Sequence, residues 1–208
     1  MKAEEHGEIL FMAQRVFRLL LNAMSRPGTI YEMNPAVGKW NRPVPGMFGD
    51  GDIFLVSILT TLLDGDVSFC AAGDTAEAVR KIAEFTGARI SAVGEADFVI
   101  VPPGGKINVI LDVKRGTPKY PDEGATIIFC AERLCGDDCP GVRLKGPGIA
   151  DVQRLSVTGI DPGIFAYLTM INSEFPLGVD SFFVDTEGRL AAIPRSTAIE
   201  VKGWDTQR

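Results

Sequence analysis

The sequence predicts an α/β fold in three layers, an α/β/α sandwich built around a mixed sheet. Three observations favour it: several segments have helical spacing, short strand-like segments alternate with them, and hairpin signals come late in the chain. Alternation predicts parallel strands, and the late hairpins add antiparallel ones. At 208 residues the chain is expected to form one domain over residues 1–208.

The first part of the chain predicts two helices joined by a long loop. Apolar residues over 5–24 recur three or four positions apart, which is the spacing of an amphipathic helix. The sequence SRPG at 25–28 ends that helix, because proline and glycine disfavour a helix interior. The segment 34–52 is rich in proline and glycine, and we expect it to lie on a surface or against a partner. Residues 52–63 are apolar nearly all round and indicate a buried helix.

Two further helices are predicted in the middle of the chain. Asp74-Thr75 supplies an N-cap for a helix over 75–86, and Gly87 suits its C-terminal end. Residues 105–115 place apolar side chains at helical spacing. Strands are predicted over 67–72, 88–93, 97–102, 125–134 and 142–146.

The last part of the chain predicts a helix followed by a hairpin. Asp161-Pro162 is an N-cap with proline at the first helical position, opening a helix that runs to about Ser173. The segment 172–197 then reads NSEFPLGVDSFFVDTEGRLAAIPRST, a hairpin flanked by the loops FPLGVD and PRST. These two loops are expected to meet at one edge of the sheet.

The register of this hairpin decides what its polar residues contact. With a two-residue turn at Glu187-Gly188, Asp180 lies directly opposite Arg195 and the two can form an ion pair. With a three-residue turn and a bulge at Gly188, Asp180 faces Pro194 instead, and Arg195 is free for another contact. The sequence DTEGR slightly favours the second register.

Composition excludes several classes of function. Twenty-one basic against 27 acidic residues leave a net charge of −6, which argues against a broad nucleic-acid surface. No run approaches the ~18 apolar residues of a membrane span. The N-terminus has no signal-peptide pattern, so we expect a cytoplasmic protein.

The standard catalytic motifs are absent from the sequence. Its single histidine, His6, lies at the start of the first predicted helix, so a nucleophile system built on it is disfavoured. Neither a P-loop nor a dinucleotide-binding glycine pattern occurs. Cys135 and Cys139 have half of a zinc-site spacing, but no second half is present. We therefore favour a plain turn with two free thiols over a metal site.

Two surface features have both a functional and a purely structural interpretation. The turn KGPGI at 145–149 can present backbone N–H groups and Lys145 to an anion, although a tight turn is the simpler interpretation. On the first helix, one polar face is either solvated or a docking face for an acidic partner; it consists of Arg15, Arg18, Asn22 and Arg26.

Seven segments together resemble the PhnH family, which belongs to the bacterial carbon–phosphorus lyase system of phosphonate degradation. They are FRLLLNAMSRPG (17–28), ILTTLLDGD (58–66), ADFVIV (96–101), EGATIIF (123–129), LKGPGI (144–149), FPLGVD (175–180) and IPRST (193–197). The match runs in order from about residue 15 to residue 202. The SRPG, FPLGVD and PRST elements are specific in combination, whereas any one alone is a weak signal.

The resemblance implies a fold and a role. The family fold is akin to the large domain of pyridoxal-phosphate-dependent transferases, without the cofactor. The implied partners are subunits G, I and J of a core complex, with a homodimer for the isolated protein. That complex displaces adenine from ATP by an alkylphosphonate, giving ribose 1-alkylphosphonate 5-triphosphate. ATP and phosphonate are substrates of the complex, and an iron–sulfur centre belongs to another subunit.

The resemblance also supplies candidate residues. We expect no catalytic residue and no metal ligand in this chain, and several matching glycines and prolines are expected to shape the backbone. The candidates for contact with a ligand or neighbouring subunit are Arg195, Asp180, Thr197, Pro176, Gly178, Ser25, Arg26, Lys145, Gly146 and Gly148. Two alternatives remain open, a stand-alone enzyme on a transferase-like fold and a ligand-free dimeric adaptor.

Overall fold

A seven-stranded mixed sheet lies at the centre of the computed structural model, which describes residues 2–38, 52–73, 76–136, 139 and 141–201. The helices are α1 (Lys2–Ser25), α2 (Asn34–Val37), α3 (Asp52–Leu62), α4 (Ala76–Thr86) and α5 (Ile164–Ile171). The strands are β1 (Tyr31–Glu32), β2 (Ser68–Ala71), β3 (Arg89–Ile90), β4 (Phe98–Val101), β5 (Thr126–Ala131), β6 (Arg133–Cys135), β7 (Val142–Lys145), β8 (Gln153–Thr158), β9 (Asp180–Asp185), β10 (Arg189–Ile193) and β11 (Ala198–Glu200). Short 3-10 helices cover Ile107–Asp112, Pro121–Glu123 and Asn172–Glu174. The prediction of an α/β fold is confirmed.

The main sheet has the strand order β1-β10-β9-β5-β4-β2-β3. Strands β3, β2, β4, β5 and β9 are parallel, whereas β10 and β1 are antiparallel to their neighbours. The sheet is mixed, as predicted, because the hairpin β9–β10 closes one side of it. The amino ends of β5 and β9 lie together, and Thr126 pairs with Asp180 there.

Helices α1, α3 and α4 cover one face of the main sheet. The buried stripe of α1 consists of Met12, Val16, Leu20 and Ala23, all between 0% and 2% exposed. Their spacing of four, four and three residues confirms the amphipathic helix that the sequence predicts. The helix ends at Ser25, as expected from the SRPG sequence that follows.

The opposite face is covered by α5, the 3-10 helix Ile107–Asp112 and a second, four-stranded antiparallel sheet. This second sheet has the order β11-β7-β8-β6. The third layer is therefore part helix and part sheet, and differs from the purely helical layer of an α/β/α sandwich. The strand β8 escapes prediction because, of its side chains, only that of Leu155 is fully buried, which leaves a weak alternation signal.

Several predicted elements differ in type or extent. The helix predicted to open at Asp161-Pro162 begins at Ile164 with Gly163 as its N-cap, and the strand predicted over 88–93 covers only Arg89–Ile90. The helical spacing over 105–115 corresponds to a 3-10 helix, because the buried residues Ile107 and Ile110 are three apart and suit a three-residue turn. The single strand predicted over 125–134 is divided at Glu132, whose N–H donates to the Thr158 carbonyl at 2.9 Å. There the chain passes from the main sheet to the second sheet, and the exposed charged residues Glu132 and Arg133 interrupt the buried pattern.

The predictions for the two ends of α4 and for the loop after α2 can be compared with the structure only in part. Helix α4 ends at Thr86, and Gly87 adopts φ +79° with its N–H donating to the Ala83 carbonyl at 2.8 Å. This confirms the predicted C-terminal end. The predicted N-cap at Asp74-Thr75 and most of the predicted loop, residues 39–51, lie outside the described residues.

The hairpin β9–β10 adopts the register of the three-residue turn. Ser181 pairs with Ile193 and Val184 with Leu190. Gly188 has φ +82° and lies directly against the Phe54 ring. Both the backbone conformation and the lack of space therefore disfavour a side chain at this position. The bulged turn that DTEGR favours is therefore confirmed.

Candidate functional site

The open end of the hairpin is held by Asp180 and Arg195. The Arg195 backbone N–H donates to Asp180 Oδ1 at 2.9 Å, and its Nε and Nη2 donate to Oδ2 at 3.2 and 2.7 Å. Its Nη1 donates to the Pro121 carbonyl at 2.5 Å. The side chains are 14% and 22% exposed, for Arg195 and Asp180 respectively. Two guanidinium N–H groups thus converge on one carboxylate oxygen in a largely buried ion pair, and every guanidinium nitrogen is engaged.

The expectation that this register leaves Arg195 free is wrong. The strand pairing ends at Ile193, and Pro194 begins a turn in which the Thr197 N–H donates to the Pro194 carbonyl at 2.9 Å. This turn brings Arg195 back onto Asp180 although the two are not opposite each other in the sheet. Strand register alone therefore did not determine the contact.

The loop FPLGVD is shaped by backbone contacts. The Phe175–Pro176 peptide is cis, and Gly178 has φ +138° with its N–H donating to the Arg115 carbonyl at 2.9 Å. Asn172 clamps the next residue: its Oδ1 accepts the Val179 N–H at 2.8 Å, and its Nδ2 donates to the Val179 carbonyl at 3.2 Å. Pro176 and Gly178 thus serve the loop's shape, and Asn172 is a structural residue that the sequence reasoning missed.

The motifs SRPG (25–28), KGPGI (145–149) and PRST (194–197) meet at one place. A Cβ on Gly148 would collide with the Ser25 carbonyl oxygen, and one on Gly146 would lie 3.0 Å from the Ser196 carbonyl oxygen. The Gly28 N–H donates to the Ala192 carbonyl at 2.9 Å. Three turns therefore pack backbone against backbone, which fixes the C-terminal end of α1 against β10 and the turn after β7.

The charged and polar candidates around these turns differ in their environment. Lys145 forms an ion pair with Glu200 at 2.7 Å, so it is already engaged by a carboxylate. Arg26 is exposed at the end of α1. Thr197 is 6% exposed, and its Oγ1 is buried without a hydrogen-bond partner in the described part of the chain. That these residues contact a ligand or a subunit stays a prediction.

Cys135 and Cys139 form a disulfide. The interpretation as two free thiols is therefore wrong: the tight turn brings the two Cα atoms to 5.9 Å, within the range that a disulfide spans. Cys70 and Cys130 lie outside this disulfide, and burial raises the pKa of the Cys70 thiol to about 11. A thiol with so high a pKa is a poor nucleophile at neutral pH. Within the described ranges no three His, Cys, Asp or Glu residues lie close enough to hold a metal ion.

A second cluster of charges lies on the small sheet, beside a cavity of about 350 Å³. Its lining residues include Arg143 on β7, Arg154 on β8, Val142 and Phe165. Sequence reasoning missed this cluster because β8 was not predicted. The repeated pair Arg-Leu in VRLK and QRLS was the available signal, since it gives both arginines the same face of their strands.

Comparison with known proteins identifies the family of this chain. A family model described as "Bacterial phosphonate metabolism protein (PhnH)" matches residues 7–200. The chain belongs to the PhnH family. The resemblance carried by the seven sequence segments is thereby confirmed over most of the chain.

Two curated relatives of the PhnH-family chain carry informative names. This chain is 35% identical over 198 residues to the "Putative C-P lyase subunit protein HtxG" of Stutzerimonas stutzeri, and the match covers 91% of this chain and 87% of that protein. It is 31% identical over 195 residues to the "Alpha-D-ribose 1-methylphosphonate 5-triphosphate synthase subunit PhnH" of Rhizobium meliloti (strain 1021), with 92% of each chain covered.

The loops FPLGVD and PRST, two of the segments on which the family resemblance was based, lie at the amino ends of the parallel strands. Asp180 begins β9, and Arg195 follows β10 at the same end. In open α/β sheets ligands bind instead beyond the carboxyl ends of the strands. The Asp180–Arg195 cluster lies at the other end, and its polar groups are mostly satisfied by one another. Its geometry suits a structural anchor better than a reaction centre.

Proposed function

We propose that this chain is a non-catalytic subunit of a carbon–phosphorus lyase complex, docking on its partners through α1. The observation that carries the proposal is an apolar stripe on the solvent side of α1. Leu10, Phe17 and Leu21 are 65%, 47% and 54% exposed and follow one helix face, and Phe11 beside them is 66% exposed. Large exposed apolar side chains on one face mark an interaction surface.

The motif cluster gives this stripe a rigid base. Because Ser25 at the end of α1 lies against Gly148, the helix is tied at its C-terminal end to the rest of the fold. The buried stripe on the other side of α1 holds it against the main sheet. A rigid, pre-positioned helix loses little conformational entropy when it docks, which favours association.

The lysines whose side chains the structure describes support a role without a cofactor. A pyridoxal phosphate enzyme needs a lysine free to form a Schiff base in a pocket. Lys81, Lys114 and Lys145 are each in an ion pair with a carboxylate, and Lys119 lies over the Tyr120 ring. Lys106 is exposed. The transferase-like fold without its cofactor is thus our proposal for this chain.

The names of the two relatives, one of them a synthase subunit, support the reaction expected from the resemblance. We propose that the assembled complex displaces adenine from ATP by an alkylphosphonate, giving ribose 1-alkylphosphonate 5-triphosphate. The proposed partners are subunits G, I and J, and the iron–sulfur centre is assigned to one of the others. The isolated chain is proposed to form a homodimer in the cytoplasm, where ATP is available. No helix in the described ranges is long and apolar enough to cross a membrane.

The test is reconstitution of the complex with a variant of the stripe. Phe17→Glu, introduced into a tagged chain, is expected to abolish co-purification with the partner subunits and to reduce adenine release to the level without this chain. The thermal midpoint of the isolated variant should stay close to that of the wild type, because Phe17 is 47% exposed.

Met170→Glu is the matched control, since Met170 is 51% exposed on α5, a different surface. It introduces the same charge and should leave assembly and adenine release unchanged. Full activity of the complex when this chain is omitted would overturn the proposed role. Normal assembly of Phe17→Glu would overturn the assignment of the docking face.

A further inference from the structure

The Cys135–Cys139 disulfide closes a segment that is inserted into the small sheet. Cys135 at the end of β6 pairs with Ser156 on β8. Val142 at the start of β7 pairs with Leu155, the residue next to Ser156 on β8. The segment between Cys135 and Val142 is thus inserted between two consecutive positions of β8. Because strand pairing holds both of its ends, the disulfide is not needed to bring them together.

Opening the bond is therefore expected to leave the fold intact. In the chain-entropy account, the stabilisation from a disulfide grows with the length of the closed loop, and here the two cysteines are only 4 positions apart. Both cysteines are partly exposed, so a thiol in solution can reach the bond. Access from solution and a small effect on folding are typical of a disulfide that is reduced and re-formed.

The face of the small sheet that carries Cys135 is positively charged. Arg133 is two residues before Cys135 on β6, so both lie on the same face of the strand. Arg154 is two residues from Ser156, the partner of Cys135, and therefore lies on this face as a diagonal neighbour, for which the separation is about 7–8 Å. Arg143 pairs with Arg154 and lies on this face too. Three guanidinium groups thus share one face with Cys135.

The charge of this face is only partly balanced by a carboxylate. Glu200 on β11 pairs with Arg143, but its carboxylate is 2.7 Å from Lys145 Nζ and 3.7 Å from Arg143 Nε. The two aspartates of the CGDDC sequence lie outside the described residues. Cations beside a cysteine stabilise its thiolate, so the reduced form of Cys135 is favoured.

The two cysteines of the main sheet are poorly placed to exchange with this disulfide. Cys130 is 8% exposed, and burial raises the pKa of the Cys70 thiol to about 11. Because the thiolate is the attacking species in exchange, attack by Cys70 is slow at neutral pH. Small thiols in solution are therefore the expected reductants.

We propose that Cys135 and Cys139 form a reversible redox site that is opened by small thiols such as glutathione. The thiolate of one glutathione molecule attacks Cys139 Sγ, the S–S bond breaks, and Cys135 leaves as a thiolate stabilised by the arginines. The thiolate of a second molecule attacks the glutathione sulfur of this mixed disulfide and releases Cys139. Glutathione disulfide is the oxidised product, and the chain has gained two electrons and up to two protons.

This site goes beyond the proposed subunit role and rests on it only for the location of the chain. Disulfides of cytoplasmic proteins are usually transient, catalytic or redox-sensing, so a reducible bond agrees with the proposed location. The state of the site depends on the redox conditions and not on the presence of partner subunits.

The test is equilibration of the full chain in buffers of reduced and oxidised glutathione, followed by maleimide trapping of the thiols and peptide mass spectrometry. At a glutathione ratio like that of the cytoplasm, Cys135 and Cys139 are expected to be mostly reduced, and oxidised glutathione is expected to close the bond again. The far-UV circular dichroism should be the same in both states. A bond that stays closed at that ratio, or thiols that oxidised glutathione does not close, would overturn the proposal.

Arg154→Gln tests the contribution of the arginines. Losing one cation destabilises the thiolate, so the equilibrium should shift toward the disulfide by roughly threefold or more. In a Cys139→Ser background, iodoacetamide at neutral pH should alkylate Cys135 more slowly by a similar factor once Arg154→Gln is added.

Arg80→Gln is the matched control, since Arg80 is exposed on α4, which covers the other face of the main sheet. It removes the same charge and should change neither the equilibrium nor the alkylation rate. Equal values for Arg154→Gln and Arg80→Gln would overturn the proposed role of the arginines in this site. All these measurements use the isolated chain and its thiols, so a negative result leaves the subunit role, which is tested by adenine release, untouched.

Discussion

Arg195→Met removes the guanidinium group that holds the open end of the hairpin while keeping an unbranched side chain of similar length. Three side-chain hydrogen bonds are lost, two to Asp180 and one to the Pro121 carbonyl. Asp180 is then left with the Arg195 backbone N–H as its remaining donor from this turn. The variant therefore measures how much the ion pair contributes to folding.

The magnitude follows from the burial of the pair. Breaking a fully buried pair by removing one partner costs about 3–5 kcal/mol, and an exposed pair contributes roughly 0–1 kcal/mol. Arg195 and Asp180 are 14% and 22% exposed, so water screens part of their interaction. We expect Arg195→Met to lower the free energy of unfolding by about 2–3 kcal/mol. For a chain of this size that corresponds to roughly 4–12 °C in the thermal midpoint.

The assay is urea unfolding followed by circular dichroism, applied to a double-mutant cycle. Asp180→Asn keeps the shape and an acceptor for the backbone N–H, and the double variant completes the cycle. We expect a coupling energy of about 1–2 kcal/mol between Asp180 and Arg195. Arg195→Lys is the charge-matched control, and should recover less than half of the loss because a lysine cannot donate to Asp180 Oδ2 twice and to the Pro121 carbonyl with the same planar geometry.

Two results would refute the reasoning about this pair. A coupling energy below about 0.3 kcal/mol would place the pair among screened surface ion pairs, despite its geometry. Full recovery by Arg195→Lys would mean that charge alone, and not the fork of N–H donors, holds the hairpin base.

Two further predictions concern the turns and the acid stability. Gly148→Ala should lower the free energy of unfolding by on the order of 2 kcal/mol or more, since φ is +82° and a Cβ would meet the Ser25 carbonyl. Gly104→Ala is the control: its φ is +70° but the space around it is open, so the loss should be only about 1 kcal/mol. Equal losses for the two variants in urea unfolding would contradict the close approach of Gly148 to Ser25. Burial raises the pKa of Asp97, but hydrogen bonds from Lys114 and Ser68 outweigh this effect and hold the pKa below its usual range. The stability that Asp97 contributes is therefore present above about pH 4 and is lost as the pH falls through the pKa of Asp97 in the folded state. Asp97→Asn should therefore flatten the acid side of a plot of thermal midpoint against pH; an unchanged acid side would contradict this.

Local signals predicted those elements whose side chains carry a complete pattern. Helix α1 has a full buried stripe, and the hairpin has a glycine at its bulge, so both were predictable from sequence. Strand β8 has one fully buried side chain and gave no clear signal. The exposed charged pair Glu132-Arg133 was the available signal for the division, which the prediction of one strand over 125–134 passed over.

In the candidate site too, contacts set by local sequence were predictable and contacts set by tertiary pairing were not. The meeting of the FPLGVD and PRST loops follows from hairpin geometry and was predicted. The Asp180–Arg195 contact depends on the turn begun by Pro194, which strand register does not describe. The pairing of Arg143 with Arg154 joins two strands of a sheet that the sequence did not reveal. Contacts set by tertiary pairing require the fold itself.

The outer strands of both sheets constrain how this chain can associate. In the part of the chain that the structure describes, the main sheet ends in β1 and β3, of two residues each, and the small sheet ends in β11 and β6, of three residues each. Strands this short offer too few free backbone groups to template a strand from another molecule. Association through β-augmentation is thus disfavoured at high concentration, and side-chain surfaces such as the stripe on α1 are left to determine the stoichiometry of any assembly.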